Sequence, residues 1–385
     1  MKKFTLFLFA SLFSALSFAA LNPYAYGLSS SLDGTTLKVN YSLNSPATGV
    51  SVVILDGAEE VKTVTCDGIT KGSHSVDIST LDLPTGKSLT WKVVVNGNSV
   101  ANPTPQSDLT LKYCLPRGIG VDRSTESPYF GRIYTTDATG GAAYHASEGK
   151  GLYVFDAGLT PVTNSTGGKK FTGGITFGTD DISRVVVSDD GRVFLSRYKA
   201  TNACPILEVN PANLDANFSA VFEDLKGQSI AIDAKGAGDD LKLVMMLKNA
   251  DYNYTIAEYN LGTKTTWSGT TASTILKQND PAFKLDIVTD HAYISYDITD
   301  GVWFTQHRSD PKRDATIAHL TKDGVDYHNV EAGLSHSGTS NGGIAISPDG
   351  KLLAVVGPGT TKLTIYSVSR EGGNITLKSK YTLTE

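Results

Sequence analysis

Cysteine is nearly absent from this chain: three in 385 residues, at Cys66, Cys114 and Cys204. No CxxC pair and no Cys/His cluster has metal-ligand spacing, which excludes the familiar zinc and dithiol motifs. Three thiols cannot all pair. Cys66 and Cys114 could form one disulfide, or all three could be small buried hydrophobes. Histidine is also thin and scattered, at His74, His145, His291, His307, His319, His328 and His336. None stands two or four residues from another, so no metal site is expected from histidine spacing. GxSxG, HExxH, the Walker loop and a GxGxxG at a strand–helix junction are all missing. No catalytic residue and no cofactor is therefore expected. Helical periodicity is lacking too: no long window places apolar residues at i, i+3, i+4 and i+7.

Long apolar runs are lacking everywhere but at the start. Lys2 and Lys3 precede the run Phe4 to Phe18, and Ser17-Phe18-Ala19 supplies small residues at a cleavage position. The run is about fifteen residues, short of the ~20 that cross a bilayer. It reads as a secretory signal peptide over residues 1–19, cut after Ala19. The expectation is an exported protein of the periplasm, cell surface or extracellular space, without membrane insertion. Loss of Lys2 and Lys3 takes the formal charge from −5 to about −7. An acidic chain is a poor partner for nucleic acid or an anionic membrane surface.

What the chain has in abundance is short alternating runs of Val, Ile, Thr, Tyr and Phe broken by Gly, Asp, Asn and Pro. That is an all-β pattern. Leu37 to Leu43, Gly49 to Leu55, Val61 to Cys66, Ser73 to Ile78 and Leu89 to Val95 form a first set. Their spacing fits a β-sandwich over residues 20–105. Asn98 to Ser107, with two prolines, reads as the linker.

Beyond it the chain repeats. Val185-Val186-Val187-Ser188-Asp189-Asp190-Gly191-Arg192-Val193-Phe194-Leu195 matches Ile344-Ala345-Ile346-Ser347-Pro348-Asp349-Gly350-Lys351-Leu352-Leu353-Ala354. Both are strand, Ser-x-Asp-Gly-basic turn, strand. The pair lies about 160 residues apart, room for three units of roughly fifty residues. Further copies begin at Gly118 to Asp122, at Ser229 to Asp233 and at Leu285 to Asp290. The second strands of the outer pair are read at Phe130 to Thr135 and Ala292 to Tyr296. Third strands follow, for example Ile206 to Asn210 and Ile317 to Leu320, then short fourth strands such as Ser219 to Phe222 and Lys264 to Trp267. Four strands per unit is the blade of a β-propeller, expected over residues 106–385. Five repeats are legible, and five to seven blades are possible. Either the ring closes with five or six, or the chain is part of a longer protein.

The Ser-Pro-Asp-Gly-Lys turn at 347–351 resembles WD40-like and other bacterial propeller repeats, although the WD dipeptide and Gly-His pair are absent. Asn22-Pro23-Tyr24-Ala25-Tyr26 through Val95-Asn96-Gly97 looks like the Ig-like domain of the flagellar hook-capping type. Both modules behind a signal peptide are similar to exported proteins of Bacteroidetes-type bacteria. The resemblance specifies fold and leaves activity open.

The segment from Asp300 to Asp314 departs most from the repeat and pairs aromatic with cationic residues. Trp303, His307, Arg308 and Arg313 are candidates to grip a peptide, a glycan or a protein partner. The alternative is that Trp303 and Phe304 continue a strand into the core. Asp122 and Asp233, at inner-strand ends, are candidates for the channel mouth, or equally for turn capping. The loop carrying Tyr144, His145 and Glu148 is a weaker candidate. Ser-Asp-Asp-Gly at 188–191 is a fragment of a calcium loop, but a blade turn accounts for it better. The function expected is a non-enzymatic exported binding or scaffold protein. The alternative is a propeller hydrolase, lactonase or lyase with a metal in the central channel.

Overall fold

The computed structural model describes residues 23–98, 116–137, 149–177, 181–198, 202–248, 253–268, 272, 274–277, 293–299, 301–305, 317–321, 327–329, 343–356, 362–371 and 374–384. Among these residues there is no α-helix, and all strand pairing within the sheets is antiparallel. The chain is an all-β protein: a sandwich followed by propeller blades.

The sandwich contains β1 (Ala25–Asp33), β2 (Thr36–Leu43), β3 (Gly49–Asp56), β4 (Glu59–Cys66), β5 (Gly72–Ser79) and β6 (Leu89–Asn96). Its two sheets run β1-β2-β5 and β4-β3-β6. Alternation sends Val39, Tyr41 and Leu43 of β2 inward, where they meet Val50, Val52 and Ile54 of β3. Cys66 is a free thiol buried in that core, as the buried-hydrophobe alternative has it, and Cys114, its partner in the other alternative, lies outside the described residues. The strand β1 was not anticipated. Its Ser29-Ser30-Ser31 stretch is exposed and carries no apolar alternation, so backbone pairing to β2 defines it.

Five four-stranded sheets follow. Blade 1 has β7 (Pro116–Val121), β8 (Ile133–Asp137), β9 (Gly151–Phe155) and β10 (Lys170–Phe171). Blade 2 has β11 (Ile182–Val187), β12 (Val193–Arg197), β13 (Ile206–Val209) and β14 (Ser219–Ala220). Blade 3 has β15 (Gln228–Lys235), β16 (Lys242–Lys248), β17 (Asn253–Asn260) and β18 (Thr274–Lys277). Blade 4 has β19 (Tyr293–Tyr296), β20 (Val302–Thr305), β21 (Ile317–Leu320) and β22 (Tyr327–Asn329). Blade 5 has β23 (Ile344–Ile346), β24 (Leu352–Val356), β25 (Lys362–Glu371) and β26 (Asn374–Thr384). In each blade the chain steps from strand to neighbouring strand without crossover.

Three expected strands move. Phe130 belongs to the loop between β7 and β8, and the second strand of blade 1 starts at Ile133. In blade 4, Tyr293–Tyr296 is the first strand because it pairs with Val302–Thr305, so it is not the second. The expected first strand, Leu285 to Asp290, lies outside the described residues. Lys264 to Trp267 is not the fourth strand of blade 3; that position belongs to β18. Trp267 instead bridges to Phe222 and packs edge-on against Phe222 and Tyr259, joining blade 2 to blade 3.

Period-two alternation feeds both faces of each blade. Val193 and Leu195 of β12 face blade 1, while Phe194 between them faces blade 3. Likewise Val302 and Phe304 of β20 face blade 3, and Trp303 faces blade 5. The result is four apolar cores, one between each consecutive pair of blades. The first strands β7, β11, β15, β19 and β23 lie side by side around a channel. The tightest approach is at Gly118, where a Cβ would stand 2.5 Å from the backbone nitrogen of Val185. Among the described residues no comparable packing joins β23 or β24 to β7.

Candidate functional site

One end of the channel is built from the turns joining first to second strands. The Ser-x-Asp-Gly sequence forms such a turn because its side chains replace missing backbone partners. In blade 2 the Ser188 hydroxyl donates to Asp190 and accepts from the Arg192 N–H at 3.0 Å, with Gly191 supplying φ 84°. Ser347 and Asp349 repeat this at 2.6 Å in blade 5. The turns also hold one another. Asp189 Oδ2 accepts the Gly236 N–H at 2.8 Å, and Asp190 Oδ2 accepts the Gly238 N–H at 3.0 Å. Lys235 donates to the Asp297 carbonyl at 2.9 Å, carrying the chain of contacts from blade 3 to blade 4.

Within this ring of turns opens a cavity of about 550 Å³, lined among others by Arg123, Glu126, Asp189, Asp233, Lys235 and Ser295. Charges of both signs interleave: Arg123 stands 3.7 Å from Asp189, each half-exposed. Asp233 lies at the mouth, as one of the two sequence alternatives held. It is also an inter-blade staple, accepting the Tyr296 N–H at 2.7 Å and the Ala234 N–H at 2.9 Å. Burial pushes its carboxyl up to about 6, against the opposing pull of those backbone donors and of Arg123.

Asp122 takes the other alternative. It is fully buried beneath the β7–β8 loop, accepting from the Ser124 N–H at 3.0 Å and the Ser127 hydroxyl at 2.5 Å. It caps a turn and has no surface to offer a ligand. As a ligand residue Trp303 is corrected too, in favour of the other reading, a strand carried into the core. Its indole is fully buried in β20, packed among Ile317, Ile344, Leu353 and Tyr366 and edge-on to His319 at 4.9 Å. It is a core side chain because alternation points it into the blade 4–blade 5 interface. His307, Arg308 and Arg313, with Tyr144, His145 and Glu148, lie outside the described residues.

The sequence reading missed a buried ionic cluster beside the mouth. Asp297 accepts from Arg370 at 2.6 Å, from His319 Nε2 at 2.9 Å, from the Thr299 hydroxyl at 3.0 Å and from the Ile298 N–H at 2.7 Å. Burial alone would raise this carboxyl. The His319 and Arg370 hydrogen bonds override it and hold Asp297 below the usual carboxylate range. The group ties the β19–β20 turn to β21 and to blade 5.

It also missed Arg184 and Tyr293. Arg184 of blade 2 crosses the channel to lay its guanidinium 3.6 Å over the Tyr293 ring of blade 4. It donates to the Arg117 carbonyl of blade 1. Burial pushes its guanidinium down to about 10. A signal was present: Arg184 is a charge inside the apolar strand Ile182–Val187. Only the ring, which sets blade 2 across from blade 4, reveals its partner.

A second cavity, of about 620 Å³, lies between sandwich and propeller. Tyr24, Trp91, Lys92, Glu126, Pro128 and Phe130 are among its lining. The modules are pinned there by Tyr24 to the Ala157 carbonyl at 3.3 Å, Lys71 to the Gly158 carbonyl at 2.9 Å and the Tyr24–Phe130 edge contact at 5.7 Å. Thr125 and Glu126 line both this cleft and the channel mouth. Among the described residues no three His, Cys, Asp or Glu side chains gather in metal-binding geometry.

No family model matches the chain, and no curated protein matches it in sequence. Among solved structures it is similar to an oligogalacturonate lyase in complex with manganese, at 15% identity and a TM-score of 0.35, over 66% of this chain and 62% of that one. A Bacteroides thetaiotaomicron protein of unknown function gives 14% identity and a TM-score of 0.43, over 92% and 88%. An auxiliary nutrient binding protein from the same organism gives 10% and 0.38, over 91% and 85%. At these values the likeness carries neither a site nor an activity to this chain.

Proposed function

We propose that this is an exported binding protein that holds a glycan in one groove, formed by the propeller mouth and the cleft against the sandwich. The observation that carries the reading is that Thr125 and Glu126 line both cavities, which sets the two side by side. One half offers aromatic surface, with Trp91 and Tyr24 half-buried and held by packing. The other offers paired charges and hydroxyl groups within hydrogen-bonding reach of solvent. Aromatic side chains are apolar on the face and polar at the rim, which suits a ring with hydroxyls around an apolar face. A concave site with a few fixed polar groups is what small-ligand recognition needs. Export rests on Lys2, Lys3 and the apolar run behind them.

A glycan array probed with the mature chain tests the reading. Binding is expected, with Trp91→Ala and Lys235→Ala each weakening it at least tenfold. Absence of any glycan ligand, or binding that depends on Arg308 or Arg313 and ignores Trp91 and Lys235, overturns it. An axial metal enzyme is the weaker reading, because the Arg184 guanidinium already places a positive charge in the channel where the cation would sit.

A further inference from the structure

Carboxylates outnumber cations around the groove. In the mouth, Glu126, Asp189, Asp233 and Asp297 face Arg123 and Lys235. The β7–β8 loop also borders a further cavity of about 410 Å³, set against the blade 2 turn and lined among others by Glu126, Tyr129, Asp190, Arg192 and Glu208. Most of these charges are already spent on one another. Arg123 stands 3.7 Å from Asp189. Arg192 grips Glu208 through two hydrogen bonds, at 2.7 and 3.0 Å. Asp297 is fully buried and holds Arg370 and His319. Lys235 donates to the Asp297 and Ile298 carbonyls, at 2.9 and 3.5 Å, whose partial negative charge offsets its own. Arg184 lies in the neighbouring cavity, on the Tyr293 ring and the Arg117 carbonyl. Among the described residues, Glu126, Asp190 and Asp233 have no cation within ion-pairing distance.

Asp233 differs from the other two. Glu126 and Asp190 are exposed, where water screens a lone carboxylate at little cost. Asp233 lines both the mouth and the neighbouring cavity, which measures about 380 Å³ and is walled by Ile119, Ile294 and Val356 among others. Burial raises its carboxyl to about 6, and Arg123 is the cation that opposes the rise. Its oxygens take the Tyr296 and Ala234 N–H groups, one each, and the Ser295 hydroxyl bonds to it as well. Two carboxylate oxygens offer about four acceptor sites, so capacity for a further donor remains. A cation placed on a desolvated carboxylate stabilises it more than at the surface, because the local dielectric is low. The three carboxylates also come from three successive blades: Glu126 from the loop of blade 1, Asp190 from the turn of blade 2 and Asp233 from β15 of blade 3. A ligand that satisfies all of them carries its positive charge repeatedly along its length.

We infer that the groove selects a cationic glycan, an oligomer of amino sugars with free amines, whose ammonium groups lie on Asp233, Glu126 and Asp190. The inference rests on the glycan reading of the groove and names the class of sugar. An ammonium brings three donors and a charge, where a hydroxyl brings one donor and none. The apolar ring faces meet Trp91 and Tyr24 in the cleft.

Calorimetric titration at pH 6.5 compares the β-1,4-linked tetramer of glucosamine with its fully N-acetylated counterpart, equal in length and linkage but uncharged. A hydrogen bond to a charged group is worth roughly tenfold to a hundredfold in affinity, so the free-amine tetramer is expected to bind at least tenfold more tightly. Asp233→Asn should cut that preference about fivefold or more while the acetylated tetramer binds as before, an outcome that general damage to the fold would not produce. Because Asp233 also joins two blades, Glu126→Gln is the second variant: the residue is exposed, and its exchange should cut the preference about twofold or more. Trp91→Ala should weaken both tetramers alike. Equal or tighter binding of the acetylated tetramer, no binding of either, or a preference that both variants keep in full would each overturn the inference. Failure of the glycan reading has a different signature, since no sugar on the array then binds at all. Neutral sugars bound through Trp91 would leave that reading standing and remove only the choice of amino sugar.

Discussion

Asp233 and Asp297, one blade apart, respond to burial in opposite ways. Asp233 rises from 3.8 to about 6 because its donors only partly offset desolvation. Its folded carboxyl binds a proton more tightly than the unfolded one, so ionisation weakens the fold. The penalty is absent below about pH 4, grows as pH rises towards 6 and is complete above it, reaching roughly 3 kcal/mol. Urea unfolding of the wild type and of Asp233→Asn between pH 4 and 7 should therefore diverge, with wild type losing stability relative to the variant as pH rises. Parallel curves would sink the account. Asp297 works the other way. Its carboxyl is held below the usual range, so its stabilisation is full above the unfolded pKa near 3.8 and is lost as pH falls below it. Asp297→Asn leaves Arg370 and His319 facing a neutral amide in a buried place, at an expected cost of about 3–5 kcal/mol at pH 7. A loss under 1 kcal/mol in the same unfolding assay would show that the cluster is not a tie between blades. Neither aspartate's chemistry could be read from local sequence. Asp233 stood out as an inner-strand end, but burial by the packed blades raises its carboxyl, and the Tyr296 N–H that partly offsets the rise comes from 63 residues on.

At the level of strands and turns, the sequence is most readable where one face is buried and the other wet. Alternation is clear in β2 and β5 and partial in β3, β4 and β6, and all five of these strands were located to within two residues of their ends. Reading failed where a strand lacks alternation, as in serine-rich β1, or where an aromatic run has a tertiary purpose, as in Lys264 to Trp267. It failed again at blade 4, whose short first strand is fixed by pairing with Val302–Thr305 and not by its own pattern. Trp303 illustrates the difficulty: beside cations it was legible both as a ligand platform and as a strand residue entering the core, and its strand register decides for the core. Blade packing adds a constraint that sequence shows only as a glycine. Gly118 admits the backbone of β11, and an added Cβ would meet Val185 N at 2.5 Å and Arg184 Cα at 2.8 Å. Main chain cannot swing aside as a flexible side chain does. Gly118→Ala should thus cost about 1–3 kcal/mol by thermal or urea unfolding, the range of overpacked cores. A neutral effect would mean that blades 1 and 2 are free to separate.

Across the whole molecule, stability is set by what each blade touches on its two faces. Blade 3 is enclosed: Leu243 and Met245 of β16 face the blade 2 core, while Val244 and Met246 face the blade 4 core. Blade 5 is packed on blade 4 through Ile344, Leu353, Val355 and Tyr366, and among the described residues no comparable packing joins its inner strands to β7. Blade 1 packs on blade 2, and the sandwich braces it through Tyr24 and Lys71. In an array whose units contact only their neighbours, opening begins at the unit with fewest interfaces. Amide hydrogen exchange should accordingly be slowest in β16 and fastest in β23 and β24, with β8 between them. Tyr24→Ala combined with Lys71→Ala should raise exchange in blade 1 while leaving blade 3 unchanged. Equal protection of blades 3 and 5 would sink this ranking of the blades.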